Sequence, residues 1–210
     1  VEIHENSSWS CAHGIARWRG NCGCHIGSQE GWTQGWRKPL RDAMDWLSGE
    51  LARIYDQEMA EYSQGPWKIR DEYIDLILDR DQKHVEYFFK IHMKKGLDPA
   101  GQTKVLKLLE MQRHAMLMCT SCGWFFDEIS GIETVQIMQY AARAIQLAHQ
   151  ASGICLEEGY LALLKNAPSN IAELGNGSGV YEKYVKPAVL DLLRVGVHYG
   201  MTSLFAPGQK

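Results

Sequence analysis

Apolar residues recur at intervals of three and four along most of this chain, the spacing that gathers them on one face of an α-helix. The first stripe opens near Pro39, a residue suited to a first helical turn, and runs through Leu40, Ala43, Met44, Leu47, Leu51, Ile54 and Tyr55. Gly65-Pro66 punctuates it. A second helix is predicted to carry Ile74, Ile77, Leu78, Val85, Phe88 and Phe89 on one stripe, with Gly96 ending it and Pro99 opening the next. Val105, Leu108, Leu109, Gln112, Ala115 and Met116 form the third stripe. A fourth helix starts at Gly131 or Ile132 and continues through Val135, Met138, Ala142 and Ile145, with Gly153 bending or interrupting it. Pro168-Ser-Asn170 and Gly175-Asn-Gly-Ser-Gly179 are breaks. A last segment, Tyr181 to Tyr199, has Val189, Leu192, Leu193 and Val197 on its apolar face, and Pro187 either starts a new helix there or kinks this one.

Alternating runs of β-branched residues are nearly absent, and Asn176-Gly177 lies between helices rather than between strands. The pattern therefore predicts an all-α fold, a bundle of about five helices. Residues 1–36 lack periodicity and are rich in Gly, Ser, Trp and Cys. They read as an irregular segment packed on a bundle formed by residues 37–210, the two making one domain.

Composition narrows the function classes. A chain of 210 residues buries a substantial core, about 70% of its unfolded surface. The net charge is −3, and 22 basic residues are dispersed among 25 acidic ones, so no footprint for nucleic acid or an anionic membrane appears. No apolar run reaches the roughly 20 residues of a membrane span. The opening Val1-Glu-Ile-His4 has neither an initiator methionine nor a signal-peptide pattern and reads as the interior of a longer protein. Without a secretory signal, the six cysteines are expected to be reduced thiols in the cytoplasm.

Those thiols are unevenly placed. Cys11-Ala-His13 and Cys22-Gly-Cys24-His25 put several soft or borderline ligands in one loop, and Cys119-Thr-Ser-Cys122 adds a C-x-x-C. Zinc takes four Cys or His ligands, and an irregular loop can wrap around it. Cys11, His13, Cys22, Cys24 and Cys122 are the candidate ligands, and zinc is the one cofactor these residues suggest. Small buried thiols in tight turns are the alternative. An iron–sulfur cluster suits the set less well, and a redox reading of Cys119 and Cys122 lacks the βαβ context.

The stretch from Met118 to Glu133 is unusual for a helix–helix connection. Such turns are commonly small and polar, yet Trp124, Phe125 and Phe126 occur here beside Asp127 and Glu128. These aromatics must either plug a core or line a pocket. Polar groups next to a flat ring also suit sugar recognition. Trp9, Trp18, Trp32 and Trp36 lie in the N-terminal segment; if it meets the connector, the two build one aromatic surface, with His13, Arg17, Asp127 and Glu128 as polar contacts. Glu110, Arg113 and His114, and likewise Glu133, Gln136, Tyr140 and Arg143, read as solvated helix faces or as interhelical pairs orienting the connector. No G-x-S-x-G, H-E-x-x-H, P-loop or G-x-G-x-x-G occurs.

Ser121-Cys-Gly-Trp-Phe-Phe126, followed by Tyr140-Ala-Ala-Arg143, resembles the late motif of glycoside hydrolase family 57, a Ser-Asp-Trp-Pro-Phe segment in a helical domain after the catalytic barrel. Ser7-Ser-Trp-Ser-Cys-Ala-His-Gly-Ile-Ala-Arg-Trp18 is similar to the segment leading out of the barrel in an uncharacterised bacterial branch, whose C-terminal part is a domain of unknown function. The resemblance implies that Trp124 and Phe126 match the family's cleft Trp and Phe. Gly123 and Phe125 depart from its Asp and Pro, and Asp127 is the nearby carboxylate. Trp124, Phe126, Asp127, Trp9, His13, Arg17 and Trp18 are the implied substrate contacts. The family's catalytic Glu and Asp belong to the barrel, and nothing here matches them. The implied role is a non-catalytic accessory domain that completes the substrate cleft and stabilises an upstream barrel of the same polypeptide, acting on an α-glucan or related oligosaccharide. A zinc-binding module and a purely structural helical interaction domain are the alternatives.

Overall fold

The computed structural model describes the chain except residues 1, 3, 9, 28, 95 and 206–210. The fold is all-α. After a short turn of helix α1 (Ala16–Arg19) come α2 (Arg37–Met59), α3 (Pro66–Leu78), α4 (Gln82–His92), α5 (Pro99–Leu117), α6 (Ile132–Ser152), α7 (Glu157–Leu164), α8 (Gly177–Val180) and α9 (Leu192–Phe205). Among the described residues the only β feature is an isolated bridge between Pro168 and Asn176.

Helix α2 is the axis of the bundle. Leu40, Ala43, Met44, Leu47, Leu51 and Ile54 are fully buried, as their spacing predicts. They face Val105, Leu108 and Leu109 of α5, Ile137, Met138 and Ala141 of α6, and Tyr160 and Leu164 of α7 in one core. The α5–α6 pair is the most extensive helix contact, and the aromatic connector joins these two helices. Asp98 caps α5 through the Gly101 N–H, with Pro99 in the first turn. Gly153, at φ 78°, ends α6 in the left-handed conformation that glycine tolerates.

Two expected elements differ. The predicted second helix is two, because the chain is extended at Asp79 and Asp81 recaps α4 by accepting from the Lys83 N–H. The last segment also divides. A π-helical turn, Tyr181–Val185, and a 3-10 turn, Lys186–Ala188, lead to an extended Val189 before α9. Pro187 lies at this break, where it has no N–H for a continuing helix. The predicted apolar face of α9 is open: Leu192, Leu193 and Val197 are exposed. A groove of about 1020 Å³ separates α9 from α6, lined by Gln139, Arg143 and Gln146 on one side and Leu192, Leu193 and Val195 on the other. No described helix is long and apolar enough to cross a membrane.

Candidate metal centre

The irregular N-terminal segment converges on one point. The ligand atoms of Cys11, His13, Cys22 and Cys24 all lie within 4.8 Å of one another. Cys11 Sγ is 3.8 Å from Cys22 Sγ, 3.7 Å from Cys24 Sγ and 3.9 Å from His13 Nδ1, and Cys24 Sγ is 3.4 Å from His13 Nδ1. Gly23, between two of the cysteines, has φ +76° and open space around it, so the C-x-C can turn tightly without strain. Zinc–sulfur bonds of about 2.3 Å and a zinc–nitrogen bond of about 2.0–2.1 Å in a tetrahedron give S···S edges of about 3.8 Å and S···N edges of about 3.5 Å. Four of the separations are within about 0.4 Å of those edges and all are within 4.8 Å, so the four residues can gather around a metal ion.

Cys11 and Cys24 shift in opposite directions. Burial raises the Cys11 pKa, but hydrogen bonding with His13, through its backbone and its ring, and with Cys24 and Cys22 outweighs it and lowers the thiol to about 6. Cys24 moves upward, because Cys11 and Cys22 hold its proton in place. The thiolate is the form that ligates metal.

The other predicted ligand is elsewhere. Cys122 is exposed on the 3-10 turn Ser121–Trp124 and takes no part in the cluster. That turn is held against α6, where Thr134 Oγ1 donates to the Gly123 carbonyl at 2.7 Å.

The N-terminal segment and the connector do meet. Trp18 Nε1 donates to the Ser121 carbonyl at 2.8 Å, and the half-buried Trp18 packs against the core. The buried Arg17 donates to the Phe125 carbonyl at 3.4 Å and lies 4.8 Å above the Phe125 ring. Both Asp127 carboxylate oxygens accept from the Ile26 N–H, at 3.1 and 3.2 Å. Glu128 turns the other way and accepts from Ser169 Oγ at 2.5 Å and the Asn170 N–H at 2.8 Å. These adjacent carboxylates clamp two different loops.

Trp124 does not wall a cleft. Its ring is fully buried in the core, its Nε1 donates to the Arg37 carbonyl at 3.1 Å, and the Arg41 guanidinium covers one face at 4.1 Å. Trp124 plugs the bundle because Gly123 lets this turn lie directly on α6: a Cβ at Gly123 would stand 2.2 Å from Ile137 Cδ1. Phe126 is 39% exposed, while Asp127 is buried and engaged. His13, expected both as a sugar contact and as a ligand, is in the thiol cluster. Trp9 lies outside the described residues.

Sequence reasoning missed Arg37 and Asn170. Arg37 is fully buried at the start of α2 and donates to the carbonyls of Cys24, Phe125 and Phe126. Burial, then the neighbouring Arg17, pulls its pKa below the ordinary arginine value, against the support of Cys22, Asp127 and Cys24. Asn170 exchanges hydrogen bonds with the Thr33 backbone, both at 2.9 Å, and also donates to the Asp127 carbonyl. No local pattern marks either residue, since their partners come from distant loops.

No curated protein and no solved structure matches the chain. A family described as a domain of unknown function (DUF3536) matches residues 32–210, which contain Arg37, the connector and Asn170, while the four clustered ligands precede that stretch. By this match over most of its length, the chain belongs to the DUF3536 family.

Proposed function

We propose that this chain is a helical domain whose N-terminal segment is stapled to the bundle by a structural zinc ion held by Cys11, His13, Cys22 and Cys24. The observation that carries the reading is that the four ligand atoms lie within 4.8 Å of one another, with four of their separations between 3.4 and 3.9 Å. Four protein ligands close the coordination sphere and leave no position for substrate, which is the mark of a structural rather than a catalytic site. The ion would replace the core that an irregular, Gly-rich segment cannot build. Elemental analysis of purified protein tests this: one zinc per chain, lost in Cys11→Ser, is the expected result. Metal below a tenth of stoichiometry after purification in zinc-supplemented buffer overturns it.

A second reading has its own support. The segment resembling the exit from a family 57 barrel is fixed to the helical domain through Arg17 and Trp18, so it would orient whatever precedes it. In that role the domain is an accessory to a carbohydrate-active barrel, with Phe126 in place of Trp124 as the aromatic offered to a sugar. Titration of the barrel-containing protein with maltooligosaccharides tests it; no heat, or equal heat from Phe126→Ala, counts against it.

A further inference from the structure

Arg37 stands between the thiol loop and the aromatic connector and touches both. Its Nη1 donates to the Cys24 carbonyl at 2.9 Å and approaches Cys22 Sγ at 3.9 Å. Its Nη2 donates to the Phe126 carbonyl at 3.1 Å and the Phe125 carbonyl at 3.4 Å. Arg37 and Arg17 are both buried, and the Nε of each has no hydrogen-bond partner among the described residues. Neither guanidinium pairs directly with a carboxylate among those residues. Two neighbouring buried cations are costly unless negative charge compensates them. Asp127 supplies one such charge near Arg37. A metal ion bound by the four side chains would fix the Cys22–Cys24 turn, and with it the Cys24 carbonyl to which Arg37 donates.

Resting on the zinc reading above, we propose that Arg37 is the positioning residue of the metal centre and carries its occupancy to the connector. The guanidinium holds the Cys22–Cys24 turn in ligating geometry on one side and fixes the carbonyls of Phe125 and Phe126 on the other. Removing the metal frees the Cys22–Cys24 turn, and the Cys24 carbonyl no longer holds the guanidinium in place. The connector carbonyls then lose a fixed donor. The state of the centre is thereby read at Phe126, the exposed ring of the connector. Asp127 makes a second link through the Ile26 N–H, so a change confined to residue 37 isolates the guanidinium's share.

Hydrogen–deuterium exchange of the whole chain, zinc-loaded and chelated, tests the coupling. Zinc is expected to slow amide exchange about 10-fold or more both in residues 22–26 and in residues 121–131. Arg37→Lys keeps a charge but loses the planar fork. It is expected to weaken zinc binding about 10- to 100-fold in chelator competition, the usual effect of losing an outer partner of a metal ligand. It should also weaken the connector's response, leaving the share carried by Asp127 and Ile26, while residues 22–26 still respond. Zinc binding by the wild-type protein without a change in residues 121–131 overturns the coupling and leaves the zinc reading standing. Wild-type affinity and connector response in Arg37→Lys overturn it too. No zinc binding by the wild-type protein overturns the zinc reading and the coupling with it. The wild-type comparison needs no variant, so the test stands even if Arg37→Lys does not fold.

Discussion

Replacing Trp124 by alanine separates a packing role from a ligand role. The ring is fully buried, its N–H has a partner, and Arg41 lies over its face. Truncating a buried Trp costs about 3–5 kcal/mol. A domain of this kind has a total stability of about 5–15 kcal/mol, so the loss is a large fraction of it. At this chain length the midpoint of thermal unfolding should fall by about 6–20 °C. Trp124→Phe keeps most of the ring but leaves the buried Arg37 carbonyl without its indole donor, and should cost about 1–3 kcal/mol. Urea unfolding followed by circular dichroism measures both, with an unchanged slope indicating the same two states. A loss under about 1 kcal/mol for Trp124→Ala would refute the reasoning, because it is the outcome for a ring facing solvent or a cleft.

Three further outcomes follow from particular contacts. Gly123→Ala drives a methyl into Ile137 and should cost about 1–3 kcal/mol in urea unfolding; in a double-mutant cycle it should cost much less when Ile137 is already alanine, and strictly additive losses would place the strain elsewhere. Burial works to raise the Glu110 pKa, but hydrogen bonds from Tyr73, Arg80 and Arg113 prevail and lower it. Its folded pKa is thus depressed, so its stabilisation is present above the unfolded value of about 4.3 and is lost as pH falls through the folded pKa. Glu110→Gln should flatten that acid limb, and an unchanged pH profile would refute the assignment. Ending the chain at Leu190 removes a helix with no buried residue, so stability should change by less than about 0.5 kcal/mol; a loss above about 2 kcal/mol would mean α9 packs on the bundle.

Helix α2 and its buried stripe were legible because a three-four repeat in one long segment reports directly on a single buried face. The α3–α4 break was not, because Asp79-Arg-Asp81 contains no glycine or proline and looks like the polar side of a continuous helix. Periodicity also made α9 visible as a helix but said nothing about a partner for it. The thiol set was readable because Cys11 to Cys24 are close along the chain, so proximity in space needed only a loop. Cys122 matched by residue type alone, and tertiary packing placed it elsewhere. Trp124 had two possible fates on chemistry alone, and what decided between them was the glycine beside it resting on Ile137. Arg37 was invisible because its partners, Cys24, Phe125 and Phe126, are assembled only by the fold.

The central claim is that four side chains of the N-terminal segment hold one zinc ion, and X-ray absorption at the zinc edge examines it most directly. The account predicts three sulfur neighbours at about 2.3 Å and one nitrogen at about 2.0–2.1 Å, with one sulfur lost in Cys24→Ser. A coordination sphere of oxygen and nitrogen alone, or one unchanged by Cys24→Ser, would contradict it.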